Sequence, residues 1–217
     1  MAAESFAALA ARILATPPRL GPVRLVAVDG PSGAGKSWFA DRLAKAADIP
    51  VVHTDDLLDG WDDQFTFWSR LEEQVLGPLR DGRPATYHRY LWHRQAFGGN
   101  PVTVEPAAAV LLEGVTAARR VIRPELSFSI FVTAPANLRW RRALARDGRD
   151  DVAFRAYLER WRVNEDEHFA ADATAAHVDL LVDGAAEGSD VGYHRLGPAR
   201  PDWTTISRAS GGNGDGR

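Results

Sequence analysis

The clearest chemistry in the chain lies in one unbroken run, Asp29-Gly30-Pro31-Ser32-Gly33-Ala34-Gly35-Lys36-Ser37. It contains G-x-x-x-x-G-K-S, a loop that cradles phosphate. Gly30, Gly33 and Gly35 let the backbone turn where a Cβ would clash, so successive N–H groups, those of Ser32 and Ala34 among them, converge on one anion. Lys36 adds a mobile positive charge for the outer phosphates, and Ser37 offers a hydroxyl to magnesium. The apolar run Val23–Val28 reads as a strand, and Trp38–Ala44 has the apolar spacing of a helix. Strand, glycine loop and helix are the context the motif requires. A helix starting near Lys36 aims its positive end at the same phosphates.

Such a loop holds a nucleotide without saying what receives the phosphoryl group. Three features bear on that. Asp55 and Asp56 follow the short run Val51-Val52-His53. Transfer to an alcohol needs a carboxylate that orients the hydroxyl and takes its proton. Strand ends beside the loop are where such groups sit in open α/β sheets. Aspartates also cap helices, the reading that suits Asp62 and Asp63. Glu113 closes the run Ala108–Leu112, so Ser37, Asp55 and Glu113 form a candidate magnesium set. Arg139, Arg142, Arg146 and Arg149 are spaced by three, four and three residues, one side of a helix. Arginine forks suit phosphate oxygens and offset charge during transfer. Arg139 and Arg142 are therefore candidates for the nucleotide, and Arg142 and Arg146, with Lys36, for the transfer itself. Residues 146–151 read as the tip of a short lid. His53 is a candidate for the acceptor site beside Asp55, or for a structural role at a strand end. Trp38, Trp68, Trp140 and Trp161 read as core or half-buried packing. The stretch Glu165–His168 reads as a solvated helical segment.

These groups need a scaffold. The chain has 217 residues, 45% of them hydrophobic and 25% charged, enough for one α/β domain with a sizeable core. A net charge of −3 gives no basic field for nucleic acid. There is no cysteine, which excludes disulfide and thiol chemistry and fits a reducing cytoplasm. No apolar run approaches the roughly 18 residues of a membrane span. The alanine-rich start carries Glu4 and Arg12 and reads as an amphipathic helix over residues 1–16, with no leader peptide.

From Gln64 to Arg80, Phe65, Trp68, Leu71, Val75, Leu76 and Leu79 recur at helical spacing, and Gly77-Pro78 predicts a bend or a tightened last part. Residues 85–104 crowd Tyr87, His88, Tyr90, Trp92, His93 and Phe97 together, with Gly98–Pro101 as a turn. They read as irregular strands in a small aromatic lobe. Further strands are expected at Ser127–Thr133 and Val178–Val182. Helices are expected from Pro135 to Asp147 and from Asp151 to Ala171, the second with Phe154, Tyr157, Leu158, Trp161 and Phe169 inward. Strands alternating with helices predict a mainly parallel sheet covered on both faces. The body of the domain spans residues 1–184. An extension over 185–217 ends in a glycine-rich stretch whose last ten or so residues, by composition, stay disordered. Tyr193, Leu196, Trp203 and Ile206 can pack its first part back on the domain.

Taken in order, these pieces resemble the uridine kinase family of P-loop phosphotransferases. The matching stretches are Val28–Ser37, Asp55-Asp56-Leu57, Tyr90-Leu91-Trp92, Leu111-Leu112-Glu113-Gly114 and Arg139–Asp150. The resemblance implies a P-loop kinase fold with a five-stranded sheet. It implies that Asp55 acts as base toward a sugar 5′-hydroxyl and helps bind magnesium with Ser37 and Glu113. It implies that Tyr90 and Trp92 lie near the nucleoside, and that Arg139, Arg142 and Arg146 approach the phosphates. The departures fall in the acceptor pocket. Leu58 stands where the family has an aromatic residue and Leu91 where it has an aspartate. His93 precedes the register of the family's histidine, where Gln95 falls.

The expected function is ATP- and magnesium-dependent phosphoryl transfer to a hydroxyl of a small molecule, a nucleoside first. Kinases of a nucleoside monophosphate, a sugar, a vitamin precursor or an antibiotic are alternatives, as is a nucleotide-sensing module without turnover. No N-K-x-D signature points to guanine.

Overall fold

The computed structural model describes residues 3–147, 152–186 and 189–196. In chain order the elements are β1 (Ala3–Ser5), α1 (Phe6–Leu14), β2 (Arg24–Asp29), α2 (Lys36–Ala47) and β3 (Val51–His53). Then come α3 (Trp68–Leu71) and α4 (Gly77–Arg80), joined by a π-turn over Glu72–Leu76, and β4 (Ala85–Leu91), β5 (Ala96–Val104) and β6 (Ala109–Glu113). The last are β7 (Leu126–Thr133), α5 (Ala136–Asp147), α6 (Val152–Asp172), β8 (Leu180–Asp183) and β9 (Gly192–His194).

The alternation within β2 explains the layering. Leu25 and Ala27 enter one apolar cluster and Val26 and Val28 the other. A strand buried on both faces belongs inside a parallel sheet with a layer on each side. The five strands run in the order β3-β6-β2-β7-β8, and every pairing is parallel. One face is covered by α1 and α2 through Phe6, Leu9, Ile13, Phe39 and Leu43. The other is covered by the α3–α4 segment and α6 through Leu71, Val75, Leu79, Trp161 and Phe169. Because β2 is central, its loop opens at the middle of the sheet's carboxyl edge. The ends of β3 and β8 lie to either side of it.

Several expectations change. The first described residues do not extend the N-terminal helix. Ala3–Ser5 form β1, which pairs antiparallel with β9, and Ser5 caps α1 by accepting the Ala8 N–H at 3.1 Å. Within the expected helix 64–80 the turns widen rather than tighten. Gly77 N–H reaches back to Glu72 O, a π-type bond, and Pro78 beside it has no N–H to offer Gln74. The aromatic lobe is an ordinary antiparallel hairpin, β4 with β5, whose turn is residues 92–95. Gly98–Pro101 lies inside β5, and the irregularity there is a register shift opposite Tyr87 and Arg89. Tyr193, in β9, is buried, and Leu196 packs against the core. Trp203, Ile206, Arg149 and the rest of the expected lid tip fall outside the described residues, apart from Arg146 and Asp147. Among the described residues no helix is long and apolar enough to cross a membrane.

Candidate active site

The phosphate loop has the conformation its glycines predict. Gly33 has φ +75°, and a Cβ there would sit 2.3 Å from Arg139 O. Only glycine fits that approach. Lys36 begins α2 and folds its Nζ back to Pro31 O at 3.3 Å. The base of the loop hangs on Asp29, which the sequence marked only as part of the motif. Its buried carboxylate accepts N–H bonds from Gly30 at 2.6 Å, Ala118 at 2.8 Å and Thr116 at 3.0 Å. Burial pushes its pKa up to about 7 against those donors and the Lys36 charge.

Beside the loop, parallel pairing of β3 with β6 sets His53 level with Glu113. Glu113 accepts from Ser37 Oγ at 3.2 Å and pairs with His53 Nδ1 at 2.6 Å. Burial opposes its ionisation, but His53, Lys36 and Ser37 outweigh that and hold its pKa below the ordinary value. The Glu113 hydrogen bond in turn raises the His53 pKa. His53 thus supports Glu113 and is not among the residues lining the cavity, which fits the structural one of its two expected roles rather than the acceptor one. Asp55 is open to the cavity on a single turn, Thr54–Asp56. Gly114 fixes that turn: at φ +144° it lets Thr54 Oγ1 approach to 1.8 Å from where a Cβ would stand. Desolvation by the surrounding walls, then the Glu113 charge, push the Asp55 pKa up, while Lys36, Arg146 and His53 pull it down. Asp56 points elsewhere, to Arg89 at 3.0 Å, and ties the hairpin down.

Arg142 and Arg146 line the cavity. Arg142 donates to Gly184 O at 2.8 Å and Gly33 O at 3.4 Å, which holds it over the loop. Arg139 does not line the cavity. It is buried, with Nε on Ala134 O at 3.1 Å and its fork turned toward Asp166.

One cavity of about 1280 Å³ joins these groups, more than the 300–1,000 Å³ or so of a single-ligand pocket. From the loop it runs past Trp38, Asp183–Ala186, Tyr193 and His194 on the β8 side. On the β3 side it runs past Leu58, Trp61, Tyr90, Trp92, Phe154 and Tyr157. Trp61 lies 5.0 Å from Trp92 and 5.5 Å from Trp161, and Tyr90 lies 5.1 Å from Trp92, ring centre to ring centre. Tyr90, Trp92 and His93 are therefore brought to the same space as Asp55. Tyr157, expected inward, is 40% exposed and forms part of this wall. Gly30 and Ala34 shape the loop without lining the cavity.

Glu165 departs from the solvated segment expected over Glu165–His168. It is fully buried and accepts from Ser32 N, Ser32 Oγ and Trp161 Nε1. A signal for it exists: Phe154, Leu158, Trp161, Glu165 and Phe169 form a single inward stripe at helical spacing, with a carboxylate in it.

Among the described residues no group of three or more His, Cys, Asp or Glu is arranged to hold a metal. A magnesium ion carried by nucleotide phosphates needs fewer protein ligands. The Ser37 hydroxyl and the ionised Glu113, adjacent at the loop, fit that demand.

The sheet order, the central loop and the flanking helices define a P-loop kinase fold. Solved structures share it. One, described as a "Possible Uridine Kinase from Bacillus stearothermophilus", superposes with a TM-score of 0.61 at 18% identity, over 81% of this chain and 96% of that one. Another, a "putative fructose transport system kinase" from Silicibacter sp. TM1040, gives 0.57 at 20% identity, over 78% and 95%. No family model and no curated protein matches the chain.

Proposed function

We propose that the chain is an ATP- and magnesium-dependent kinase of a small hydroxyl compound, a neutral nucleoside-like one first. The observation that supports this reading best is the meeting of three things on one cavity: the phosphate loop, an open carboxylate at Asp55, and a wall of aromatic rings. In this reading the loop N–H groups and Lys36 bind the phosphates. Ser37 and Glu113 hold magnesium, which supplies charge neutralisation on the outer phosphates. Asp55 accepts a hydrogen bond from the acceptor hydroxyl and takes its proton as that oxygen bonds to the γ-phosphorus. The bond from the γ-phosphorus to the bridging oxygen breaks, and ADP leaves. The Asp55 pKa is raised by desolvation and the Glu113 charge, the direction that suits a general base. Arg142 and Arg146 offset charge on the transferred group and help exclude water.

The acceptor wall argues for an uncharged acceptor. Among the lining residues between Leu58 and Gln95 the polar members include Asp62, His93 and Gln95 and there is no lysine or arginine. The phosphate of a nucleoside monophosphate would have to share Arg142 and Arg146, which this reading gives to the transferred group. ATP and magnesium as cosubstrates fit a cytoplasmic setting, and the reading calls for neither nucleic acid nor membrane.

The test is an ADP-release screen over nucleosides, sugars and other alcohols with the wild type and Asp55→Asn. Acceptor-dependent release that falls at least about a hundredfold in the variant is expected, the scale of losing a general base. Equal rates in both would remove Asp55 from the mechanism. ATP binding without ADP release for any acceptor would favour a sensing module.

A further inference from the structure

The proposed transfer makes no use of Glu165, yet its carboxylate sits on the phosphate loop. Ser32 N–H donates to both carboxylate oxygens at 3.1 Å, and Ser32 Oγ donates to Oε1 at 2.5 Å. Trp161 Nε1 donates to the same oxygen at 2.7 Å and to Ser32 Oγ at 3.0 Å. Every partner is a donor, the pattern that an acceptor-only carboxylate takes. Burial pushes its pKa up, opposed by Lys36 and these hydrogen bonds.

The position matters as much as the bonds. The downstream limb of the loop, Gly35–Ser37, opens α2 and lies toward Trp38. The upstream limb at Ser32 touches Trp161, whose ring packs on Trp61 in the aromatic wall. Lys36 Nζ, the charge offered to the outer phosphates, reaches Pro31 O at 3.3 Å, so a phosphate chain laid along the loop would carry its terminal group to the Ser32 limb. There it meets donors already engaged by an internal acid. Two anions sharing one set of donors repel each other.

Resting on the kinase reading, we infer that Glu165 is a specificity-determining residue of the donor site. Its carboxylate competes with the terminal phosphoryl group of a triphosphate for the Ser32 donors. Trp161, bonded to both partners, shifts when the phosphoryl group takes its place. A diphosphate leaves the pair intact. The acceptor wall is thereby set by the state of the donor.

Glu165→Gln keeps the size and one acceptor oxygen and removes the charge. Calorimetric titration of the full chain with ATP and with ADP, magnesium present, is the test. ATP is expected to bind the variant at least about tenfold more tightly than the wild type and ADP within about twofold, the selectivity of a charge facing only the third phosphate. An unchanged or lowered preference for ATP over ADP in the variant overturns the inference and leaves the kinase reading standing. Absence of ATP binding by the wild type overturns both. If Glu165→Gln fails to fold by circular dichroism, the emission of Trp161 decides, taken as wild type minus Trp161→Phe. ATP must change that difference and ADP must not. Equal responses, or none, overturn the inference.

Discussion

Replacing Asp29 with asparagine should make the protein less stable in acid and more stable at slightly alkaline pH. The reason lies in one buried group with two opposing demands. Asp29 is 0% exposed and accepts three backbone N–H bonds, two on Oδ1 and one on Oδ2. Burial nonetheless raises its pKa from 3.8 to about 7. An acid whose folded pKa lies above its unfolded value binds its proton more tightly in the folded state. Its stabilising share is therefore complete below the unfolded value and is lost as pH rises from 3.8 to about 7. At roughly 1.4 kcal/mol per unit, that loss is about 4 kcal/mol. Asparagine cannot titrate and escapes it. Its amide nitrogen does replace one acceptor, and the least damaging orientation leaves the Ala118 N–H facing another donor, at a cost of about 1–3 kcal/mol. The variant should thus be less stable by about 1–3 kcal/mol near pH 4 and more stable by a similar amount near pH 8. Urea unfolding of both proteins at several pH values reads the difference directly, with equal m-values as the control for a common unfolded state. A difference that stays flat with pH would refute the reasoning. A difference that grows in favour of the wild type as pH rises would mean that the three N–H donors outweigh burial and hold the carboxylate ionised.

Three substitutions separate the loop from the wall. Gly33→Ala should abolish ATP binding in equilibrium dialysis, because the new methyl would press on Arg139 O; Gly99→Ala, also at positive φ (+78°) but with open space around it, should leave binding intact. Trp92→Ala should raise the acceptor KM by about tenfold with the KM for ATP unchanged, since the ring touches only the acceptor side; equal effects on both would place the ring in the donor site.

The phosphate loop was legible because its motif is local and its flanking strand and helix carry their own periodicity. The positions of Glu113 and Asp55 beside that loop were legible for a related reason: each lies at or just past the end of an apolar strand. The two readings of His53 could not be separated by sequence because its partner is 60 residues away, and only the β3–β6 register makes them neighbours. The arginine face was read as one unit from its spacing. A helix side spans buried and open depths, so Arg139 went inward while Arg142 and Arg146 reached the cavity. Glu165 was misassigned by residue type, although its position in an apolar stripe contradicted that reading. The π-turn before Pro78 reflects backbone bonding that hydrophobic periodicity does not report. The pairing of β1 with β9 joins the two ends of the described chain, which no local pattern encodes.

The most direct measurement follows a label on the γ-phosphoryl group of ATP in a single turnover with an acceptor drawn from the alcohol screen. The label should move to the acceptor hydroxyl with the wild type and stay on ATP over the same interval with Asp55→Asn. Label appearing only as inorganic phosphate, at a rate indifferent to the acceptor, or moving equally fast with Asp55→Asn, would contradict a kinase that uses the Asp55 carboxylate as its base.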